Sequence, residues 1–224
     1  MQPVGTLVAF GATPAAAIAP LDATALACEV LAPGEDLFAR IKEVGEAGSI
    51  LLLLTDSAND PALAGAAKAR KILQRRGGGD AAVVLPAVPA LPGPQARARL
   101  DRAARLTGAC VIQPVGHASW ADAVRILIEP LAIFGLVGVD PREIHGLLGE
   151  RAALLQRWDD PSLDESMRTA KDVLVSCRLR PTSTLGEVDA AANRVRAVTQ
   201  TRLVLAGPEL SRDDGPRALA AVFQ

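Results

Sequence analysis

Five consecutive residues, 50–54 (ILLLL), are apolar without interruption. A strand with one wet face alternates apolar and polar residues, whereas a strand covered on both faces has no need to. The run is far too short to cross a bilayer. It therefore predicts an inner strand of a parallel sheet with helices over both faces. The neighbouring chain alternates to match. Short apolar runs at 6–10, 25–31, 81–86 and 109–113 predict further strands. Between them, 35–46 carries Leu37, Ile41 and Val44 on one helical face. Residues 62–76 follow Asp60-Pro61, a capping residue and a favoured first helical residue, and end before Gly77-Gly78-Gly79. Thr13-Pro14 is a similar start, and 95–106 is helical.

The second half is ordered differently. Residues 120–134 predict a helix buried nearly all round, with Val124, Ile128 and Leu131 in one stripe and Ile126 and Leu127 beside it. Pro130 is expected to bend or end it. Asp140-Pro141-Arg142-Glu143 has the pattern of a new helix start, with Glu143 reaching back in a capping box. A helix near 162–167 is expected to open on Asp160-Pro161. A second capping box, Thr184 with Glu187, opens a helix to about 198. Strands are expected at 173–179, 202–206 and 218–223. The fold class is α/β: a reduced Rossmann-like parallel sheet over 1–118, a connecting helix over 119–135, and a smaller α/β domain over 136–224.

Composition excludes some functions. With 4 Phe, 2 Trp and no Tyr, platforms for stacking bases are scarce. Twenty-four basic against 25 acidic residues leave a net charge of −1, which predicts no nucleic-acid or anionic-membrane footprint. Three cysteines, Cys28, Cys110 and Cys177, are odd in number and widely spaced, so buried thiols in a reducing compartment are expected. No basic region with an apolar core opens the chain, and the cytoplasm is the expected location. His117 and His145 have no convincing ligand partners, and no metal is expected.

Candidate ligand-binding residues lie where parallel strands end, since ligands of open α/β sheets bind outside the carboxyl ends of the strands. After the first strand these are Gly11 and Thr13. After the 49–54 strand they are Asp56, Ser57 and Asn59. Ser57 lacks the flanking glycines of a nucleophile elbow. The basic residues Lys68, Arg70, Lys71, Arg75 and Arg76 are read as a solvated helix face.

From Trp120 onward the chain resembles the back half of FtsZ, the bacterial relative of tubulin. The resemblance rests on the run Gly135-Leu136-Val137-Gly138-Val139-Asp140-Pro141-Arg142-Glu143, which matches the family loop GLINLDFAD. It rests also on VLVSCRL, TLGEVDAAANRVRAV, TRLVLAG and RALAAVF in the family's order. The resemblance implies a cytoskeletal fold, assembly with its own kind or with an FtsZ-family partner, and a GTP site in the first half. It also implies that Asp140 and Glu143 stand where the family's acids reach the GTP of the next subunit. As residues alone, the same Asp140 and Glu143 make a helix cap, and the two readings are compatible. The family's GGGTGTG phosphate loop falls by position on Thr55-Asp56-Ser57-Ala58-Asn59-Asp60-Pro61-Ala62. That stretch has no glycine, has a proline without an N–H, and carries two carboxylates. Backbone N–H groups cannot wrap a triphosphate there as they do in a glycine-rich loop. The expectation is association without GTPase activity of its own. Two alternatives remain open: a small-molecule site or enzyme in the crevice near Asp56, and an unfamiliar GTP-binding arrangement.

Overall fold

The computed structural model describes residues 5–10, 28–31, 39, 50–55, 60–75, 82–86, 94–132, 141–179, 184–210 and 218–223. The strands are β1 (Gly5–Phe10), β2 (Cys28–Leu31), β3 (Ile50–Thr55), β4 (Ala82–Pro86), β5 (Cys110–Pro114), β6 (Ala152–Arg157), β7 (Asp172–Leu179), β8 (Arg202–Leu210) and β9 (Ala218–Phe223). The helices are α1 (Asp60–Gln74), α2 (Pro94–Thr107), α3 (Trp120–Ala132), α4 (Pro141–His145), α5 (Leu163–Arg168) and α6 (Leu185–Val198).

The nine strands form one sheet in the order β2-β1-β3-β4-β5-β6-β9-β7-β8. β1 to β6 pair parallel, as the doubly apolar runs require. β9 is antiparallel to both of its neighbours, β6 and β7, so β7 and β8 run the same way as β1 to β6. β3 lies between β1 and β4, and the side chains of Leu52, Leu53 and Leu54 are fully buried. The sheet does not stop at residue 118: Val111 lies opposite Ala152 and Ile112 opposite Ala153, so the strands of both halves form one ladder.

Alternation along each strand divides the core in two. Leu52, Leu54, Cys110, Ile112, Ala153, Leu155, Ala221 and Phe223 share one cluster with Val124 and Leu127 of α3 and Ile144 of α4. On the opposite face, Leu53, Val84 and Val111 meet α1 and α2, while Val173, Val175 and Val222 meet α5 and α6. α3 touches β3, β4 and β5 as well as β7, β8 and β9, so one helix spans both halves of the sheet.

One strand was not expected, and one capping bond that was expected does not form. β6 carried no strand expectation, yet it is paired on both edges. Pro130 lies inside α3, which is described to Ala132. The helix expected near 162–167 is α5, which follows Asp160-Pro161 with Ser162 as its N-cap, and Asp160 Oδ1 accepts hydrogen bonds from Ser162 N (2.9 Å) and Oγ (2.6 Å). Thr184 is the N-cap of α6 by position, but its hydroxyl makes no capping bond. Only Ala39 of the helix expected at 35–46 is described, and it is helical. The Thr13-Pro14 start and the Gly77-Gly78-Gly79 turn lie outside the described residues.

Candidate functional site

The carboxyl ends of the parallel strands are where a ligand crevice is expected. Phe10 lies opposite Thr55, and Thr55 opposite Pro86, so β1, β3 and β4 end at one level. Gly11 and Asp56 follow directly in the chain. Gly11, Thr13, Asp56, Ser57 and Asn59 themselves lie outside the described residues. Thr55 is fully buried, and its Oγ1 has no hydrogen-bond partner among the described residues. A buried hydroxyl without a partner costs about 1–3 kcal/mol. The carboxyl end of β3 therefore holds a buried hydroxyl with unused hydrogen-bonding capacity.

β5 ends at the same edge, and its turn into α3 is built differently. Val115 N donates to Leu155 O (3.0 Å), and Gly116 adopts φ of 62°. Ser119 then caps α3 reciprocally. Asp122 Oδ2 accepts from Ser119 N (2.8 Å) and Oγ (2.9 Å), and Asp122 N donates to Ser119 Oγ (3.2 Å). Arg157 Nη2 lies 3.8 Å from the same carboxylate. A helix N-terminus is ordinarily an anion site. Here the protein's own buried carboxylate occupies that position. The Ser-x-x-Asp spacing at 119–122 was present in the sequence as a capping signal but carried no expectation.

The second candidate group lies at the other edge. Glu143 is exposed on α4, beside the buried Ile144. Asp140 lies outside the described residues. Gly146, just past α4, accepts a hydrogen bond through its carbonyl from Arg202 Nη2 (3.2 Å) at the start of β8. α4 therefore sits by the amino-terminal ends of the strands, and Thr55 by the carboxyl ends. A six-residue strand separates those edges by roughly 20 Å. Glu143 and the carboxyl end of β3 do not meet within one chain.

No family model matches this chain, and no curated protein does. Solved structures do. The chain aligns with an empty FtsZ dimer structure from M. jannaschii at 12% identity and a TM-score of 0.61, covering 98% of this chain and 87% of that one. It aligns with CetZ from Methanosaeta thermophila at 12% identity and 0.54, covering 97% and 85%. An FtsZ point mutant from M. jannaschii gives 13% and 0.53, covering 84% and 67%. The fold is FtsZ/tubulin-like.

Within this FtsZ-like fold Cys110 and Cys177 are buried. Burial pushes the Cys110 thiol up to about 12 and the Cys177 thiol to about 11, and both cysteines are free. A thiol is reactive as its thiolate, and neither is a thiolate at neutral pH. His117 is exposed in the β5–α3 turn, and His145 is half-buried in α4. Among the described residues, no three His, Cys, Asp or Glu side chains gather as a metal site would require. Lys68 and Lys71 are exposed on α1 and Arg75 is exposed just past its end, while Arg70 is half-buried and turns toward α2, its Nη1 3.5 Å from Thr107 O. Among the described residues no helix is long and apolar enough to cross a membrane.

Proposed function

We propose that this chain is an FtsZ/tubulin-like assembly or regulatory protein that acts by protein–protein association and is not a GTPase on its own. One combination carries the reading: an FtsZ-like fold over 98% of the chain, joined to a β3–α1 connection without glycine. A phosphate loop needs close backbone approach and several free N–H donors. Residues 55–62 hold Asp56, Asp60 and Pro61 instead. The placement of Glu143 and the β3 crevice at opposite edges favours head-to-tail contact, in which one edge meets the other across a subunit boundary. The partner is a second copy or an FtsZ-family protein in the cytoplasm. In this reading 1–118 is the reduced nucleotide-domain half, 119–135 the connecting helix and 136–224 the C-terminal α/β half.

Calorimetric titration of GTP into the full chain tests the reading. No heat of binding at micromolar GTP is expected. Micromolar affinity, together with phosphate release that Asp140→Ala abolishes, would replace the reading with a GTPase. The unpartnered Thr55 hydroxyl favours a second reading, a small polar ligand in the crevice near Asp56. Mass spectrometry of the purified protein tests it: a co-purifying metabolite lost on Asp56→Ala supports it, and clean apo protein counts against it.

A further inference from the structure

The amino-terminal edge of the sheet holds a cleft of about 630 Å³ between α2 and the starts of β6 and β7. It lies at the end opposite to the crevice discussed above. Its floor is small and apolar: Ala104 and Ala152 are both buried and leave the space open. Its frame is fixed. Val111 N donates to Arg151 O (2.9 Å), Arg151 N to Gly149 O (2.8 Å), and Lys171 N to Phe223 O (2.9 Å). The Arg151 guanidinium is clamped between Asp172 Oδ2 (2.7 Å) and the Phe223 ring (5.2 Å to its centroid). Arg202 Nε takes the other oxygen of Asp172 at 2.9 Å. The charge of Asp172 is thus answered twice within the protein.

The remaining charges line the open walls. Arg97, Asp101 and Arg105 follow at four-residue steps, so they share one stripe of α2. Glu150 and Lys171 face them from the loops before β6 and β7. Among the described residues, Arg97, Arg105 and Lys171 form no ion pair, although Asp101 lies four residues along α2 from each arginine. Guanidinium groups match the oxygens of a phosphate, and a carboxylate accepts O–H donors such as sugar hydroxyls. Walls with both groups suit a ligand that carries both.

We propose that this cleft binds a small phosphorylated polyol, its phosphate held by Arg97, Arg105 and Lys171 and its hydroxyls by Asp101 and Glu150. The volume is within the range of small-molecule sites. The proposal is independent of the association reading, because it uses no residue assigned there.

The test is titration of the full chain by isotope-edited NMR with ribose 5-phosphate, alongside inorganic phosphate and ribose alone. Ribose 5-phosphate is expected to bind at least tenfold more tightly than either fragment and to shift amides of α2 and of residues 150–152 and 171–172. R105S/K171S is expected to lose that binding by tenfold or more with an unchanged melting midpoint, since both side chains are exposed. D101N is expected to weaken ribose 5-phosphate without weakening inorganic phosphate, which loses a nearby like charge. Equal affinity for phosphate and ribose 5-phosphate would reduce the cleft to a general anion patch and overturn the proposal. So would no binding at 10 mM, or shifts that persist in R105S/K171S.

Discussion

Replacing Leu127 by alanine strikes the contact that unites the two halves of the molecule. Leu127 is fully buried in α3, in the cluster that includes Leu52 and Ile112 from the first half and Leu174 and Phe223 from the second. Loss of three carbons removes roughly 2.4 kcal/mol of burial at about 0.8 kcal/mol each. A sheet hydrogen-bonded across nine strands cannot collapse fully into the void, and the residual cavity adds about 1 kcal/mol. The sum, about 3.5 kcal/mol, corresponds to a fall in Tm of about 7–14 °C for a domain of this size. Differential scanning calorimetry reads the midpoint, and amide exchange reads where the loss is felt. One cooperative transition is expected, with exchange accelerated in β5 and in β7 and β9 alike. Two transitions, or acceleration confined to one half, would refute the view that α3 and the β5–β6 ladder make the halves one body.

Other consequences follow from single positions. Ser119→Ala should cost about 1 kcal/mol by urea denaturation, whereas Thr184→Ala should cost almost nothing, because only Ser119 makes side-chain capping bonds. Gly116→Ala should cost about 1–3 kcal/mol, because φ is positive and a Cβ there runs into the Asp160 carboxylate. Cys110 and Cys177 should resist iodoacetamide at pH 8 until the protein unfolds. Burial holds their protons to about 12 and about 11 when folded, against 9.0 when exposed. The folded pKa values are raised, so this contribution is complete below pH 9 and is lost as pH rises toward 11–12. The urea midpoint of the wild type should therefore decline above pH 9 more steeply than that of Cys110→Ala.

The elements that sequence reasoning located are those whose cause is local. Doubly apolar runs such as 50–54 declare burial on two faces without reference to anything distant, and the Asp60-Pro61 pair marks a helix start in two residues. β6 escaped because its cause is remote. Ala152–Arg157 is a mixed run containing Gln156 and Arg157, and its partner β9 comes from the far end of the chain. The capping boxes show the same limit from the other side. Ser119–Asp122 and Thr184–Glu187 are equivalent on paper, yet only the first closes through its side chains. Asp122 is buried with its oxygen directed at Ser119, while Thr184 and Glu187 are both exposed to water that competes for the same bonds. The two edges of the candidate site were legible as strand ends and as the start of α4. Their separation was not, because it depends on β6, β7 and β8 running in the same direction as β1 to β5.

Sedimentation velocity of the full chain over a hundredfold concentration range, with and without GTP and with an FtsZ added, addresses the proposed function most directly. The expected result is a sedimentation coefficient that rises with concentration or on adding FtsZ, and that GTP leaves unchanged. A chain that stays monomeric alone and with FtsZ, or that assembles only when GTP is present, would contradict it.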